Sequence, residues 1–390
     1  MDLAAFFAPL VKPDHLPRED YFHTQIGANV IIHTPGHFPD LEKVVLVLFS
    51  VREDRGSLVN AGCDSGSVLI RQRLFELSYN FDFPWVDLGE FIGGSSLADT
   101  YAGLTEVLAE LRSRQIFPLI IGGSQDLTFP QYKAFAFLEE KVDLLAIDSH
   151  FDLNEDPTHS RTTTSFSYLQ KIIQDEPNYL FNFSNLGYQS HFVSEEIKHF
   201  MDRLNFDIYR LGEINGSIAD AEPVIRGANL ISFDIRSVRF SDAPGCADQS
   251  PNGFYGEDAC QLFRYAGMND QLQSLGIYEY NPKFDHRDQT AGLIAQMIWY
   301  FLEGFSTRKQ DNPLKSSTHF YKYRTALKED PMEIIFYKSK KTGRWWMQVP
   351  YPSTHKKNSF FHLIPCRYED FQLASNGQVP ERWWKSYQKL

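Results

Sequence analysis

The sequence predicts an α/β fold, a three-layer α/β/α arrangement in which helices cover both faces of a doubly wound parallel sheet. Short apolar runs alternate with helical patterns through residues 1–307, an order typical of parallel strands joined by helices. The runs are almost continuously apolar, as strands buried on both faces should be. Right-handed crossovers then place helices on both sides of the sheet.

The elements can be assigned in order along the chain. The predicted strands are residues 44–51, 116–121, 142–148, 208–211, 230–235 and 276–280. The helical patterns cover residues 66–78, 97–111, 127–138, 166–173, 195–204, 258–266 and 290–302. The longest apolar run, VVLVLFSV, is far shorter than the roughly 20 residues that a membrane-spanning helix needs. We therefore expect no membrane segment.

Composition sets limits on function and location. The 390 residues carry 38 Lys and Arg against 50 Asp and Glu, a formal net charge of −12, which argues against a protein built for nucleic acid. The four cysteines are scattered without a C-x-x-C pair, as in reduced cytosolic proteins. The first residues lack a basic segment and a cleavage motif, so we expect a cytoplasmic protein.

The last part of the chain has a different character. Residues 308–390 contain 16 Lys and Arg against 7 Asp and Glu, whereas residues 1–307 are strongly acidic, so we divide the chain there into an α/β domain and a basic, aromatic-rich C-terminal extension. The pattern EIIFY, KSKKTG, RWWMQV predicts a β-hairpin within residues 333–349. The segment ERWWKSYQKL could stack on nucleobases, but packing of the extension on the acidic body is the better explanation.

Three polar clusters follow predicted strands, where ligands bind in sheets of this kind. They are GGSQD at 122–126, DSHFD at 148–152 and SFDIR at 232–236. In an extended chain Asp148, His150 and Asp152 would lie on one side, and this mixture of ligands suits manganese, iron or zinc. Turn-forming aspartates and a satisfied core histidine would explain D-x-H-x-D equally well. The sequence alone leaves both open.

Together with APG at 243–245 and YEYNP at 278–282, these clusters resemble the ureohydrolase family of arginases, agmatinases and formimidoylglutamases. Its members carry, in this order, G-G-D-H, D-A-H-x-D, S-x-D-x-D, a P-G and E-x-N-P. The resemblance spans residues 40–305, and IDSHFDL is most similar to the formimidoylglutamase version. It implies an arginase-like fold and a hydrolase of non-peptide C–N bonds in linear amidines, with two manganese ions that activate a bridging hydroxide.

The resemblance also assigns roles to individual residues. Asp148 and Asp234 match the carboxylates that bridge both metals, and Asp152 and His150 each match a ligand to one metal. Glu279 matches the carboxylate near the cationic end of the substrate, so Asp148, His150 and Glu279 are the predicted catalytic residues. We expect Asn154 and Ser165 to contact a small amidine or guanidine ligand, and the family resemblance implies a homo-oligomer.

Two departures from the family pattern change the prediction. Gln125 stands where the family has His, and Arg236 stands where it has the second Asp of S-x-D-x-D. A permanent cation at position 236 opposes a divalent ion, so we expect at most one Mn²⁺, or none.

Two functions remain open on the sequence. One is a formimidoylglutamase-like hydrolase that is impaired or works with fewer than two metals. The alternative is a non-catalytic binding protein, a pseudoenzyme of the same fold. Asp126 could replace a lost metal ligand or, more simply, cap the helix that begins near residue 127.

Overall fold

The computed structural model describes residues 1–10, 21–153, 163–315, 317–326, 333–351 and 361–390. Its main sheet contains β1 Phe7–Ala8, β2 Ile31–Ile32, β3 Leu46–Val51, β4 Trp85–Phe91, β5 Phe117–Ile121, β6 Val142–Ile147, β7 Leu180–Tyr188, β8 Asp207–Arg210, β9 Leu230–Asp234 and β10 Ser274–Tyr278. Its helices are α1 Ile26–Asn29, α2 Ser67–Phe75, α3 Leu97–Ser113, α4 Thr128–Phe137, α5 Tyr168–Ile173, α6 Glu195–Arg203, α7 Leu211–Asn215, α8 Glu222–Gly227, α9 Gly256–Gly267 and α10 Gln289–Ser306.

The main sheet has the strand order β1-β4-β3-β5-β10-β9-β6-β7-β8, with β2 also paired to β4. Every pairing is parallel except that of β1 with β4. Successive side chains of a strand point to opposite faces. In β3, Leu46 and Leu48 accordingly belong to the core that α2, α9 and α10 cover, whereas Val47 and Phe49 belong to the core that α3 covers. The predicted three-layer α/β/α fold is confirmed.

Two strands next to the edge strands of the main sheet, β4 and β7, escaped the sequence analysis because polar residues interrupt their apolar runs. In β4, Asp87 is fully buried and accepts a hydrogen bond of 2.7 Å from Nε of Arg71. In β7, the side chain of Asn185 donates to the backbone carbonyl of His150 at 3.0 Å. Each polar side chain is satisfied by a partner that is distant in sequence, so no local pattern announces it.

The C-terminal extension forms a second sheet with strands β11 Phe320–Ala326, β12 Glu333–Ser339, β13 Trp345–Pro350 and β14 Phe361–Cys366, all antiparallel in this order. Helices α11 Tyr368–Ser375 and α12 Glu381–Lys389 follow. This sheet has its own apolar core, which includes Trp383 of α12. The boundary at residue 307 stays a prediction.

The extension packs on the body through buried polar contacts. The guanidinium of Arg226 on α8 donates to the carbonyls of Trp345 at 3.0 Å and Cys366 at 3.2 Å. Lys389 lies 3.0 Å from Asp207 of the body. Among the described helices none is long and apolar enough to cross a membrane, and the four cysteines are free and buried.

Candidate functional site

The polar clusters meet at one edge of the main sheet. Gln125 follows β5, Glu279 follows β10, Asp234 ends β9 and Asp148 follows β6. Because these four strands are neighbours in the order β5-β10-β9-β6, their carboxyl ends lie side by side. The structure therefore brings together residues that are up to 154 positions apart in the chain.

Arg236 is buried at the centre of this cluster, with 2% of its side chain exposed. Its Nε lies 2.8 Å from Oδ2 of Asp234, and Nη2 also donates to that oxygen. Nη2 donates to Oε1 of Gln125 at 3.3 Å and lies 4.0 Å from Oδ1 of Asp152. Gln125 and Arg236, the two residues at which the sequence departs from the family pattern, are thus hydrogen-bonded to each other.

A turn at the end of β9 gives Arg236 this direction. Strand β9 ends at Asp234, and residues Ile235–Ser237 form a 3-10 turn. Oδ1 of Asp234 accepts the backbone N–H of Arg236 at 2.6 Å. The Asp234 carboxylate therefore holds both the backbone and the side chain of Arg236.

Gln125 and Glu279 are fixed by a buried hydrogen-bond network. Oε1 of Glu279 accepts the backbone N–H of Gln125 at 2.9 Å, and Oε2 accepts from the side chain of Asn60 at 2.8 Å. Nε2 of Gln125 donates to the hydroxyl of Tyr168 at 3.3 Å. The backbone of Glu279 is left-handed, with φ +67°, a strain that tends to persist at functional sites. Sequence reasoning missed Asn60 and Tyr168, for which no motif gave a signal.

The segment after β6 does not stay extended. Oδ1 of Asp148 accepts the backbone N–H of His150 at 2.9 Å, and Asp152 has φ +50°. This bend turns the ring of His150 onto the ring of Phe192, with centroids 4.6 Å apart. Nδ1 of His150 still lies 4.0 Å from Oδ1 of Asp148. The three predicted ligands are near one another without sharing one face of a strand.

Three carboxylate oxygens at the site have no hydrogen-bond partner among the described residues. They are Oδ2 of Asp148 and both oxygens of Asp152, all buried. Burial, followed by the nearby charge of Asp148, raises the pKa of Asp152 well above its ordinary value. Buried polar atoms without partners are costly, so these oxygens mark a place for a proton or for a ligand that donates hydrogen bonds.

Burial also shifts the other titratable groups. It raises the pKa of Asp234 to about 6 and that of Glu279 to about 7, although the charge of Arg236 acts in the opposite direction on both. Burial, with the charge of Arg236 second, lowers the pKa of His150 to about 4. Near neutral pH, His150 is therefore a neutral imidazole, and Arg236 is the permanent cation of the cluster.

An open pocket of about 490 Å³ leads to the cluster. Asp152, His150, Phe166 and Phe192 line it. The ring of Phe166 lies against the guanidinium of Arg236, 4.7 Å from its central carbon. Sequence reasoning missed both phenylalanines, since single aromatics next to a polar cluster more often belong to a core.

The two predicted substrate contacts stay predictions. Asn154 lies outside the described residues. Ser165 is buried, and its backbone N–H donates to the carbonyl of Gly56 at 3.0 Å. This contact places the segment before Phe166 against the loop that follows β3.

Asp126 neither replaces a metal ligand nor caps a helix. The hydroxyl of Tyr101 donates to its Oδ2, whereas Oδ1 has no hydrogen-bond partner in the part of the chain that the structure describes. Burial raises its pKa from 3.8 to about 6. Both earlier interpretations of Asp126 are wrong, because the side chain points towards α3 instead of towards Arg236.

Replacing Asp126 with Asn should change the pH dependence of stability. The raised pKa means that the native state holds the proton more tightly, so stability is lost as pH rises through about 4 to 7. A shift of about two pKa units is worth about 3 kcal/mol. Urea unfolding measures the free energy of unfolding of both proteins. Relative to Asp126→Asn, that of the unaltered protein should fall by about 3 kcal/mol as the pH rises from about 4 to 7. The exposed Asp202→Asn is the control, and a pH-independent difference for Asp126→Asn would contradict the prediction.

Comparison with known proteins places the chain. A model described as the arginase family matches residues 44–303. The chain belongs to the arginase family. The formimidoylglutamase of Streptococcus gordonii is 25% identical over 289 residues, 67% of this chain and 85% of that protein. The predicted membership, with formimidoylglutamase as the most similar branch, is confirmed.

Solved structures of arginase-family proteins share the fold. The formiminoglutamase of Trypanosoma cruzi with Mn²⁺ matches with a TM-score of 0.63 and 22% identity, over 68% of this chain and 95% of that one. The formimidoylglutamase of Bacillus subtilis matches with a TM-score of 0.64 and 20% identity, over 77% of this chain and 95% of that one. Residues 304–390 lie beyond the family match.

The residues present at the site do not fit the family's two metal ions. Arg236 is hydrogen-bonded to Asp234, the carboxylate expected to bridge the metals, and Gln125 offers its amide oxygen to the same guanidinium. Within the described ranges, no group of three or more His, Cys, Asp or Glu side chains is arranged to hold a metal ion. Manganese is thus a property of the family and of the Trypanosoma cruzi relative, and its binding here is a separate question.

Proposed function

We propose that this arginase-family protein binds a small amidine or guanidine cation and does not hydrolyse it by the two-manganese reaction of the family. The position of Arg236 carries the proposal, because its guanidinium takes the Asp234 carboxylate that two metals would share. A non-catalytic binding protein is therefore the favoured function.

The proposed ligand site is the pocket lined by Asp152, Phe166 and Phe192. The unpartnered oxygens of Asp152 accept hydrogen bonds, and an amidinium group has several N–H donors in one plane. The two aromatic rings suit a delocalised cation, since ring faces attract cations within about 6 Å. Burial raises the pKa of Asp152 in the empty site, and a cation bound beside it favours the ionised carboxylate. With Asp152 ionised, Asp148, Asp152, Asp234 and Arg236 together carry a formal charge of −2, which balances a bound cation.

A second candidate is amidine hydrolysis with a single Mn²⁺. Single-metal hydrolysis is favoured by five residues that are retained from the family pattern: Asp148, His150, Asp152, Asp234 and Glu279. Cytoplasmic location and self-association remain proposals under either function.

Calorimetric titration with N-formimidoyl-L-glutamate, L-arginine and agmatine tests the proposal. We expect at least one of them to bind, and Asp152→Asn to weaken its binding about tenfold or more because the charged acceptor is lost. The matched control is Asp202→Asn, an exposed acid on α6. The same compounds should release neither glutamate nor urea when the protein is incubated with excess Mn²⁺.

Two results would contradict the proposal. Turnover that requires Mn²⁺ and is abolished by Asp234→Asn would establish the second candidate. Failure of all three compounds to bind would show that small amidines and guanidines are not the ligands of this site.

A further inference from the structure

A second cavity lies where the extension packs on the α/β body, and we call it the junction cavity. Its volume is about 90 Å³, or about 750 Å³ when the solvent space at its open mouth is counted. The amino ends of β6, β7 and β8 form one wall, and β14 with α12 forms the other. Asp143, near the start of β6, lines the junction cavity, and Asp148, just after the end of β6, belongs to the Arg236 site. Five residues separate them, roughly 17 Å at about 3.3 Å per residue. The two sites are therefore separate.

The junction cavity has the lining of a small-molecule site. Leu144, Phe181, Val224 and Ile364 supply apolar surface, and polar side chains converge among them. Ligand pockets typically combine apolar walls with a few polar groups. The extension contributes one entire wall, so the cavity does not exist in the part of the chain that matches the arginase family.

One ion pair in the cavity is already complete. Nζ of Lys389 lies 3.0 Å from Oδ2 of Asp207 and donates to Oδ1 of Asn182 at 2.6 Å. Nδ2 of Asn182 donates to the same Asp207 oxygen at 3.0 Å. These three side chains satisfy one another and leave little capacity for a ligand.

Asp143 is different, because its half-buried carboxylate pairs with no cation among the described residues. Its backbone N–H donates to the side chain of Asn229 at 2.6 Å, but no side chain in the described ranges donates a hydrogen bond to its carboxylate. Burial raises the pKa of Asp143 to about 7, with the charge of Lys389 acting in the opposite direction. A donor that arrived with a ligand would supply the missing interaction.

Arg382 is the complementary group on the other wall. Its Nη1 donates to the carbonyl of Pro365 and its Nη2 to the hydroxyl of Tyr209, both at 3.3 Å and both neutral acceptors. No carboxylate of the described residues lies within 4.0 Å of its guanidinium. Arg382, Ser386 and Lys389 are spaced at i, i+4 and i+7 along α12, and all three line the cavity, as residues on one helix face do.

We propose that the junction cavity binds a small zwitterion of the amino-acid type. Arg382 takes the carboxylate, Asp143 takes the ammonium group, and the apolar walls take the side chain. Opposite charges on opposite walls favour this class over a simple amine or acid, each of which meets one repelling group. A bound zwitterion bridges the body and the extension, so it stabilises the docking of the extension by mass action.

Calorimetric titration of the full chain tests the proposal with three zwitterions, L-norvaline, L-glutamate and L-lysine, whose side chains are apolar, acidic and basic. Pentanoate and butylamine retain only the acid or only the amine of norvaline. We expect saturable binding of at least one zwitterion, and at least tenfold weaker binding of the matching single-charge compound. Asp143→Asn and Arg382→Gln should each weaken zwitterion binding about tenfold or more.

Lys385→Gln is the matched control, since Lys385 lies on the same helix, pairs with Glu381 and does not line the cavity. It should leave binding unchanged. If Arg382→Gln impairs folding, the nearly isosteric Asp143→Asn decides the test. Binding that is unaffected by Asp143→Asn, equal binding of pentanoate or butylamine, or no binding of any zwitterion at millimolar concentration would overturn the proposal. L-Lysine and L-glutamate resemble amidine substrates, whereas L-norvaline, pentanoate and butylamine do not. Binding of L-norvaline therefore tests the junction cavity separately from the Arg236 site.

Discussion

The double variant Gln125→His with Arg236→Asp should bind two Mn²⁺ ions per chain, whereas each single variant should not. Arg236→Asp alone removes the repelling cation but leaves a weak amide oxygen in place of imidazole nitrogen. Gln125→His alone supplies the nitrogen but keeps the guanidinium. At an effective dielectric constant near 20, a divalent ion about 4 Å from that guanidinium is repelled by roughly 8 kcal/mol. The gain in affinity should therefore appear only when both residues change.

Manganese titration followed by metal analysis of the desalted protein measures this difference. Gln174→His with Arg203→Asp, the same exchanges at two exposed positions, is the control and should leave metal binding unchanged. We expect the double variant to hold the second ion at least tenfold more tightly than either single variant. If Gln125→His alone binds two ions, the charge argument for Arg236 is wrong.

Asp234→Asn should destabilise the protein by about 3–5 kcal/mol, the usual cost of removing one partner from a buried ion pair. Asp234 accepts three hydrogen bonds from the backbone and side chain of Arg236. Its loss leaves the guanidinium with Gln125 and the more distant Asp152. Urea unfolding at neutral pH measures the change in the free energy of unfolding.

A double-variant cycle makes this prediction specific. If the destabilisation arises because the Arg236 guanidinium is left without its carboxylate, adding Arg236→Met to Asp234→Asn should restore part of the lost free energy of unfolding. Glu195→Gln, which breaks an exposed pair with Lys198, should cost less than about 1 kcal/mol. A cost that small for Asp234→Asn, or a purely additive cycle, would contradict the role of Arg236 as the internal cation of the site.

Much of this architecture could be predicted because it is encoded locally. Apolar runs identified β3, β5, β6, β9 and β10, and the polar clusters at the ends of these strands located the site. The exchange of the family's second Asp for Arg236 was visible in the motif itself. Although β10 separates the ends of β5 and β9, the motif alone was sufficient to predict that a cation would stand among the acids.

The remaining features depend on partners that are distant in sequence. Asn60 reaches Glu279 across 219 residues, and Phe166 gains its contact with Arg236 only after folding. The bend that gives Asp152 a left-handed backbone cannot be deduced from a pattern with period two. The extension shows the same limit, because Arg382 meets the body at Tyr209, 173 residues away.

Manganese content after loading with excess Mn²⁺ tests the central claim most directly. The unaltered protein, desalted and measured by elemental analysis, should retain at most one ion per chain, because the Arg236 guanidinium already neutralises Asp234. Retention of two ions per chain, with Gln125 and Arg236 both unchanged, would contradict this account.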